Sequence, residues 1–427
     1  MDRNFGRIDA GKRVLPSGSS FLKRESLIPF SLLLFYLFLE YGRPQEHLRF
    51  LRILHLPAIV VVLLAISMIN SERIRLRDKQ TTLFLLLLSL MVIHGPIAVN
   101  NYWALIFFIT MVSNFVCFLA LIRYVDTPDK FDRLIKYWIV IHVYLAIIGI
   151  MKQGKGIGGF FSDENDFCMT MNMIIPLSFF LAINASGVKR LYYALLTVLF
   201  LFVIILSQSR GGFVGLLAAF IYCWLRTKRK MMTAFIMGSL AVVAVLVAPP
   251  TYWKEVRSIT EQGTSKGTGA ERIYTWGVGW HMFLGNPVLG VGQGNFPYVF
   301  REYEILAGHG EEGYHGRSVA GRVAHSIYIT MISELGLIGT CIIIGMMINA
   351  LKDLKSIRAR SFQQNIVSNT TSKKNYFLAL GLEGSLVAYL ASGAFLAILY
   401  YPNVWLLMGF IVSLKRIVIL EPKPVST

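Results

Sequence analysis

Charge is what this chain has least of. Asp, Glu, Lys and Arg make up only 15% of its 427 residues, where a soluble domain carries about a quarter. That shortage excludes a soluble globular protein. Acidic residues are the scarcer sign, 24 against 42 basic. Cysteines number four, Cys117, Cys168, Cys223 and Cys341. All lie in apolar blocks, so an extracytoplasmic disulfide framework is excluded and they read as packing residues. No histidine pair has metal-ligand spacing. Internal repeats and flanking soluble domains are absent too.

What is present is apolar sequence, 55% of the chain, in blocks of about 15–25 residues, enough to cross a hydrocarbon core of roughly 30 Å. The expectation is an all-α integral membrane protein of about twelve spans. They are placed at 26–42, 54–70, 81–99, 103–124, 134–151, 166–184, 191–207, 212–225, 232–248, 325–350, 376–399 and 402–419. An even number puts both termini on one side. The N-terminal segment 1–25, the even-numbered connections with the span ends beside them (including the basic loop 351–375) and the C-terminus, from the end of the last span through the tail 420–427, hold 29 of the 42 basic residues, which marks that side as cytoplasmic. The net charge of +18 is mainly this topology signal. Scattered over short loops, it gives no nucleic-acid surface. The basic start and first apolar run end in LEYGRPQEH without a small-residue cleavage site, so they read as a retained signal anchor.

The one large excursion is the outer segment 249–324, too polar to span and long enough to imply a function. Within it, ERIYTWGVGWHMFLG (271–285) spaces Ile273, Trp276, Trp280, Phe283 and Leu284 as on an interfacial helix. GNPVLGVGQGNF (285–296) reads as turns. A phosphate-cradling glycine loop would need a strand before it and a helix after it, a setting the sequence does not supply.

A few charges then require explanation. The apolar run before SQSRGG has 16 residues and rises only about 24 Å. Arg210 therefore sits in a recessed outer turn, with Gly211 and Gly212 permitting the reversal. Two readings compete: an arginine snorkelling to lipid phosphate, or one facing a ligand. Arg272 stands four residues before Trp276 and can stack on it, unless it is an ordinary rim charge. His325 closes the outer segment and is either a structural residue or a general base. Glu334 falls on the opposite helical face from His325 and is expected to pair across to another helix, which leaves Tyr328 as the local neighbour. Asp163, Glu164, Asn165 and Asp166 open the sixth span as a cap, a hard-metal site or a sugar-binding edge.

SQSRGGFVG (207–215), ERIYTW (271–276), GNPVLGVGQGNF (285–296) and AHSIYITMISELGLIG (324–339), in this order and on one side, resemble the O-antigen ligase/polymerase superfamily. FFSDENDF (160–167) is similar to a motif of one branch. Ser326 stands where the family commonly has Asn, and Glu164 where that branch usually has Pro. The resemblance implies a GT-C-like architecture in the bacterial inner membrane, with the active site facing the periplasm. It implies an inverting glycosyltransferase that needs no metal or cofactor. The donor would be a polyprenyl (undecaprenyl) diphosphate-linked glycan, and the acceptor lipid A–core, another glycan or a protein. Arg210 and Arg272 would bind the diphosphate, and His325 would be the catalytic base. Tyr328, Trp276 and Asp166 are further candidate substrate contacts. Ligase activity in lipopolysaccharide assembly is favoured over repeat-unit polymerisation. A transporter or flippase is the alternative of another class, disfavoured because the ionisable residues gather at the outer boundary rather than the midplane.

Overall fold

The computed structural model describes residues 27–69, 78–228, 268–308, 321–365 and 370–420, with four isolated positions between 230 and 238. The N-terminal segment, the body of the expected ninth span and the start of the outer segment lie outside the described residues.

Among the described residues the regular structure is entirely helical. A hairpin of α1 (Leu27–Leu37, widening into a π turn at Phe38–Gly42) and α2 (Leu56–Ile69) comes first. It is followed by α3 (Lys79–Ile97), α4 (Asn101–Tyr124), α5 (Pro128–Met151), α6 (Glu164–Asn184), α7 (Gly187–Leu206) and α8 (Arg210–Arg226). After the gap come α9 (Thr268–Gly285), α10 (Phe296–Leu306), α11 (Ile327–Asn365), α12 (Thr370–Gly393) and α13 (Pro402–Leu420). Eight of these, α3 to α7 and α11 to α13, are long and apolar enough to cross a membrane; α1 and α2 are shorter apolar helices. The chain is an all-α integral membrane protein.

Short polar residues ahead of the apolar runs start the helices. Asp78, Asn100, Thr127, Asp163 and Ser209 each accept a backbone N–H from the first turn of α3, α4, α5, α6 and α8, satisfying donors that a helix leaves orphaned. Burial sorts the spans into layers. α6 and α13 are each 83% buried, whereas α7 is 28% buried and faces outward. The missing Cβ atoms of Gly381 and Gly384 let α12 lie directly on Leu177 and Pro176 of α6, the small-residue packing that membrane helices use in place of a hydrophobic drive.

Four details differ from the sequence expectations. The apolar block 376–399 does not continue as helix: α12 stops at Gly393, and 394–401 (AFLAILYY) is an irregular connector. Its carbonyls find partners inside the bundle, Tyr400 O accepting from Asn114 Nδ2 at 3.1 Å and Leu399 O from Trp405 Nε1 at 3.1 Å, so the backbone can leave the helix at that depth. The basic stretch after 350 is mostly helix, α11 running on to Asn365. Gly336, at φ 60° and ψ −162°, kinks α11. Of the four free cysteines, Cys117, Cys168 and Cys223 are buried, but Cys341 is exposed on α11.

At the end away from Arg210, ion pairs close the bundle. Glu383 lies between Arg226, at 2.6 Å, and Arg358, and Lys415 reaches Asp353 at 2.7 Å.

Candidate active site

Arg210 is the first residue of α8, and a polar network holds the turn that delivers it. The reversal is made by Gln208, at φ 56°, not by the two glycines. Ser209 caps α8, its Oγ accepting from Gly212 N–H at 2.8 Å while donating to Asn165 Oδ1 at 2.6 Å. Gly211 and Gly212 serve close packing instead. A Cβ on Gly212 would lie 2.6 Å from Cys168 Cβ, and Asn172 Nδ2 donates to the Gly212 carbonyl at 2.8 Å. Arg210 is thus clamped against the start of α6.

That start is the acidic motif. Asp163 is the N-cap, accepting from Asn165 and Asp166 N–H at 2.8 and 3.3 Å. Asp166 accepts the Tyr401 hydroxyl at 3.0 Å, and the Tyr401 ring lies 5.0 Å from Phe160. The cluster therefore divides into one capping carboxylate and one tied to the 394–401 connector.

Arg272 lies in the second turn of α9. The ring beneath its guanidinium is Phe395 of the connector, 5.9 Å from Cζ to the centroid, rather than Trp276. Trp276 points inward, 6.2 Å from the same Phe395 ring, and its Nε1 donates to the Ala324 carbonyl at 2.9 Å. The exposed large apolar side chains of α9 are Ile273, Trp280 and Leu284. Burial first, then the Arg210 charge, lowers the proton affinity of Arg272, with Asp163 opposing.

His325 immediately follows the peptide that Trp276 holds. Its φ of 46° is left-handed, a conformation that costs about 1–3 kcal/mol and collects at functional sites. The side chain is accessible at the rim, yet the surrounding protein still pushes its pKa below the ordinary value. Burial is the main cause, followed by Arg272 and Arg322, while Asp163 acts the other way. Arg210, Arg272, His325 and Asp163 thus share one electrostatic patch assembled from α8, α9, the head of α11 and the cap of α6. Tyr328 stands on the same side of α11, but its hydroxyl donates to Leu390 O of α12 at 2.9 Å.

The glycine segment lies beneath this patch as a wedge of turns. Gly290, Gly292 and Gly294 all have positive φ (76°, 93° and 70°). His94 of α3 meets Gln293 Oε1 at 2.7 Å and Leu289 O at 2.8 Å, and Gln293 Nε2 donates to Met91 O and Ala104 O. Glu334 accepts from Gly294 N–H and from the Tyr400 hydroxyl. Its other oxygen accepts from Phe296 N–H at the start of α10, so Glu334 does pair across to another helix, as well as to the wedge and the connector.

Residues 195–344 match the O-antigen ligase family model. Over that span the chain is similar to an O-antigen ligase domain. The matched span runs from the middle of α7 to the middle of α11 and holds Arg210, Arg272, Trp276, His325 and Tyr328. It supports an O-antigen ligase/polymerase type of function in a multi-pass membrane protein. Asp163, Asp166, Phe395 and Tyr401 lie outside the matched span, although the structure brings them to the same patch. No curated protein matches the chain. Phe395 and Tyr401 escaped sequence reasoning because AFLAILYY is as apolar as a span. The adjacent tyrosines and Pro402 were the available signal of a break.

Proposed function

We propose that the protein is an inverting glycosyltransferase that moves a glycan from polyprenyl diphosphate to an acceptor hydroxyl at the periplasmic face of the bacterial inner membrane. The observation that carries this reading is the convergence of Arg210, Arg272 and His325 from three separate elements onto one patch at one end of the bundle.

The sugar–oxygen bond to the diphosphate breaks with its electron pair leaving on the phosphate oxygen, so negative charge grows on the leaving group. Two guanidiniums fixed at a partly desolvated site stabilise that growth and bind phosphate oxygens as forks. His325 in its neutral form takes the acceptor hydroxyl proton as the oxygen attacks the anomeric carbon from the opposite side. Its lowered pKa keeps that form populated. The arginines carry the charge neutralisation, so the step is written without a metal. The activated carrier supplies the driving force, so no nucleotide enters. Trp276 holds the backbone before His325 through Ala324 O. Asp166 and Tyr401 form a polar edge suited to sugar hydroxyls, and Tyr328 at the head of α11 is a further candidate substrate contact.

The acceptor favoured is lipid A–core, a ligase reaction in lipopolysaccharide assembly; the related alternative is polymerisation onto a second carrier-linked glycan. Purified full-length protein in nanodiscs, given one polyprenyl-diphosphate glycan with either lipid A–core or a second carrier-linked glycan, separates the two. Transfer to lipid A–core supports the ligase reading, and elongation on the carrier alone replaces it with the polymerase. Diphosphate retained with every acceptor would sink both.

A further inference from the structure

Glu334 is 3% exposed, on α11 nine residues after His325. Its side chain gathers three donors. Oε2 accepts from Gly294 N–H at 2.8 Å and the Tyr400 hydroxyl at 2.7 Å, and Oε1 from Phe296 N–H at 3.2 Å. The backbone beside it is joined to the same wedge: Val291 N–H donates to Ser333 O, Gly292 N–H to Glu334 O, and Leu337 N–H to Pro287 O, all within 2.9 Å. Side chains on the wedge would break this contact, since a Cβ on Gly290 would sit 2.5 Å from the Glu334 carbonyl carbon.

Two routes lead from this carboxylate to Arg272. Through Phe296 N–H it caps α10, whose Phe296, Val299 and Phe300 share an apolar core with Val278 and Met282 of α9, the helix that bears Arg272. Through Tyr400 it anchors the connector whose Phe395 ring lies beneath the Arg272 guanidinium. The head of its own helix leads up to His325. We propose that Glu334 is a positioning residue, a single buried carboxylate that fixes Arg272 relative to His325.

A carboxylate is required because every group it faces donates. Glutamine has the same shape but offers one acceptor oxygen, and its NH2 turns a donor toward a donor. A buried donor left without a partner is unfavourable, so Glu334→Gln loosens both routes.

The geometric part can be read without any substrate. In full-length protein in nanodiscs, the ring-carbon NMR titration of His325, assigned by its loss in His325→Asn, reports the charges around it: Arg272 on α9, Arg322 ahead of α11 and Asp163 ahead of α6. Arg272→Gln raises the His325 midpoint by removing a like charge. Glu334→Gln raises it in the same direction and adds nothing in the Arg272→Gln background. Tyr400→Phe removes one of three donors and shifts it less. An unmoved midpoint in Glu334→Gln overturns the proposal, as does an unmoved midpoint in Arg272→Gln. If Glu334→Gln does not fold, Tyr400→Phe decides by the same criteria.

The rate consequence rests on the glycosyl-transfer reading. There Glu334→Gln lowers turnover by about a hundredfold, the loss expected for a displacement of order 1 Å. An inactive wild type would remove that reading and leave the titration result standing.

Discussion

Replacing Phe395 by leucine isolates the contact that the sequence hid. The Arg272 guanidinium carbon lies 5.9 Å from the Phe395 ring centroid, within cation–π range. At a partly desolvated site such a contact contributes about 1 kcal/mol, or roughly fivefold in an equilibrium or rate constant. Leucine keeps apolar bulk against Trp276 and Gly211 but removes the ring face, so the fold is retained while the guanidinium loses its floor. The assay is release of polyprenyl diphosphate from a carrier-linked glycan by purified variants, with melting followed in parallel. Phe395→Leu lowers kcat/KM for the donor by about fivefold, and Phe395→Tyr, which restores the ring, returns it close to wild type. A leucine variant with wild-type kcat/KM would show that Arg272 does not depend on this ring, and the arrangement drawn above would fail.

A base acts when neutral, and His325 is pushed below the ordinary imidazole value of 6.5 by burial and by Arg272. The acidic limb of the kcat/KM profile therefore lies below that value. Asp163→Asn, which keeps the cap but removes a charge that raises the His325 pKa, moves the limb further down; a move upward contradicts the assignment. Gly212→Ala places a methyl 2.6 Å from Cys168 Cβ and costs about 1–3 kcal/mol by overpacking. The melting temperature falls, and an unchanged one contradicts the close α8–α6 crossing. Ser209→Ala removes the α8 cap and the Asn165 contact, a loss of about 1 kcal/mol that Ser209→Asn partly recovers in the same melt.

The sequence reading located the helices well because a membrane-spanning helix announces itself by a long apolar run and a polar start. The cluster Asp163 to Asp166 could be read as a helix start from its place before such a run, whereas the Ser209 cap was hidden in what read as a turn. The same signal misled at 394–401, where apolar composition cannot distinguish the last turns of a span from a connector buried between spans. Arg210, Arg272 and His325 were legible as charges at the boundary of apolar blocks, but which ring Arg272 lies over is a tertiary fact. Sequence spacing offered only Trp276, four residues away, whereas the chain folds Phe395 in from 123 positions downstream. Glu334 was correctly placed off the His325 face by helical geometry. Its partners were out of reach because they are the backbone N–H groups of Gly294 and Phe296, presented by a glycine wedge whose φ angles the sequence permits but does not specify, and the hydroxyl of Tyr400 on the connector. The reversal before Arg210 was assigned to glycine for the same reason, although Gln208 adopts the left-handed angle and the glycines serve packing.

The central claim is that Arg210, Arg272 and His325 act together on a lipid-linked diphosphate. Release of free polyprenyl diphosphate, measured in nanodiscs with acceptor present, nucleotide omitted and chelator added, tests it most directly. Wild-type protein releases it, while Arg210→Ala, Arg272→Ala and His325→Ala insert normally and each lose release. Full turnover by the three variants would contradict the account.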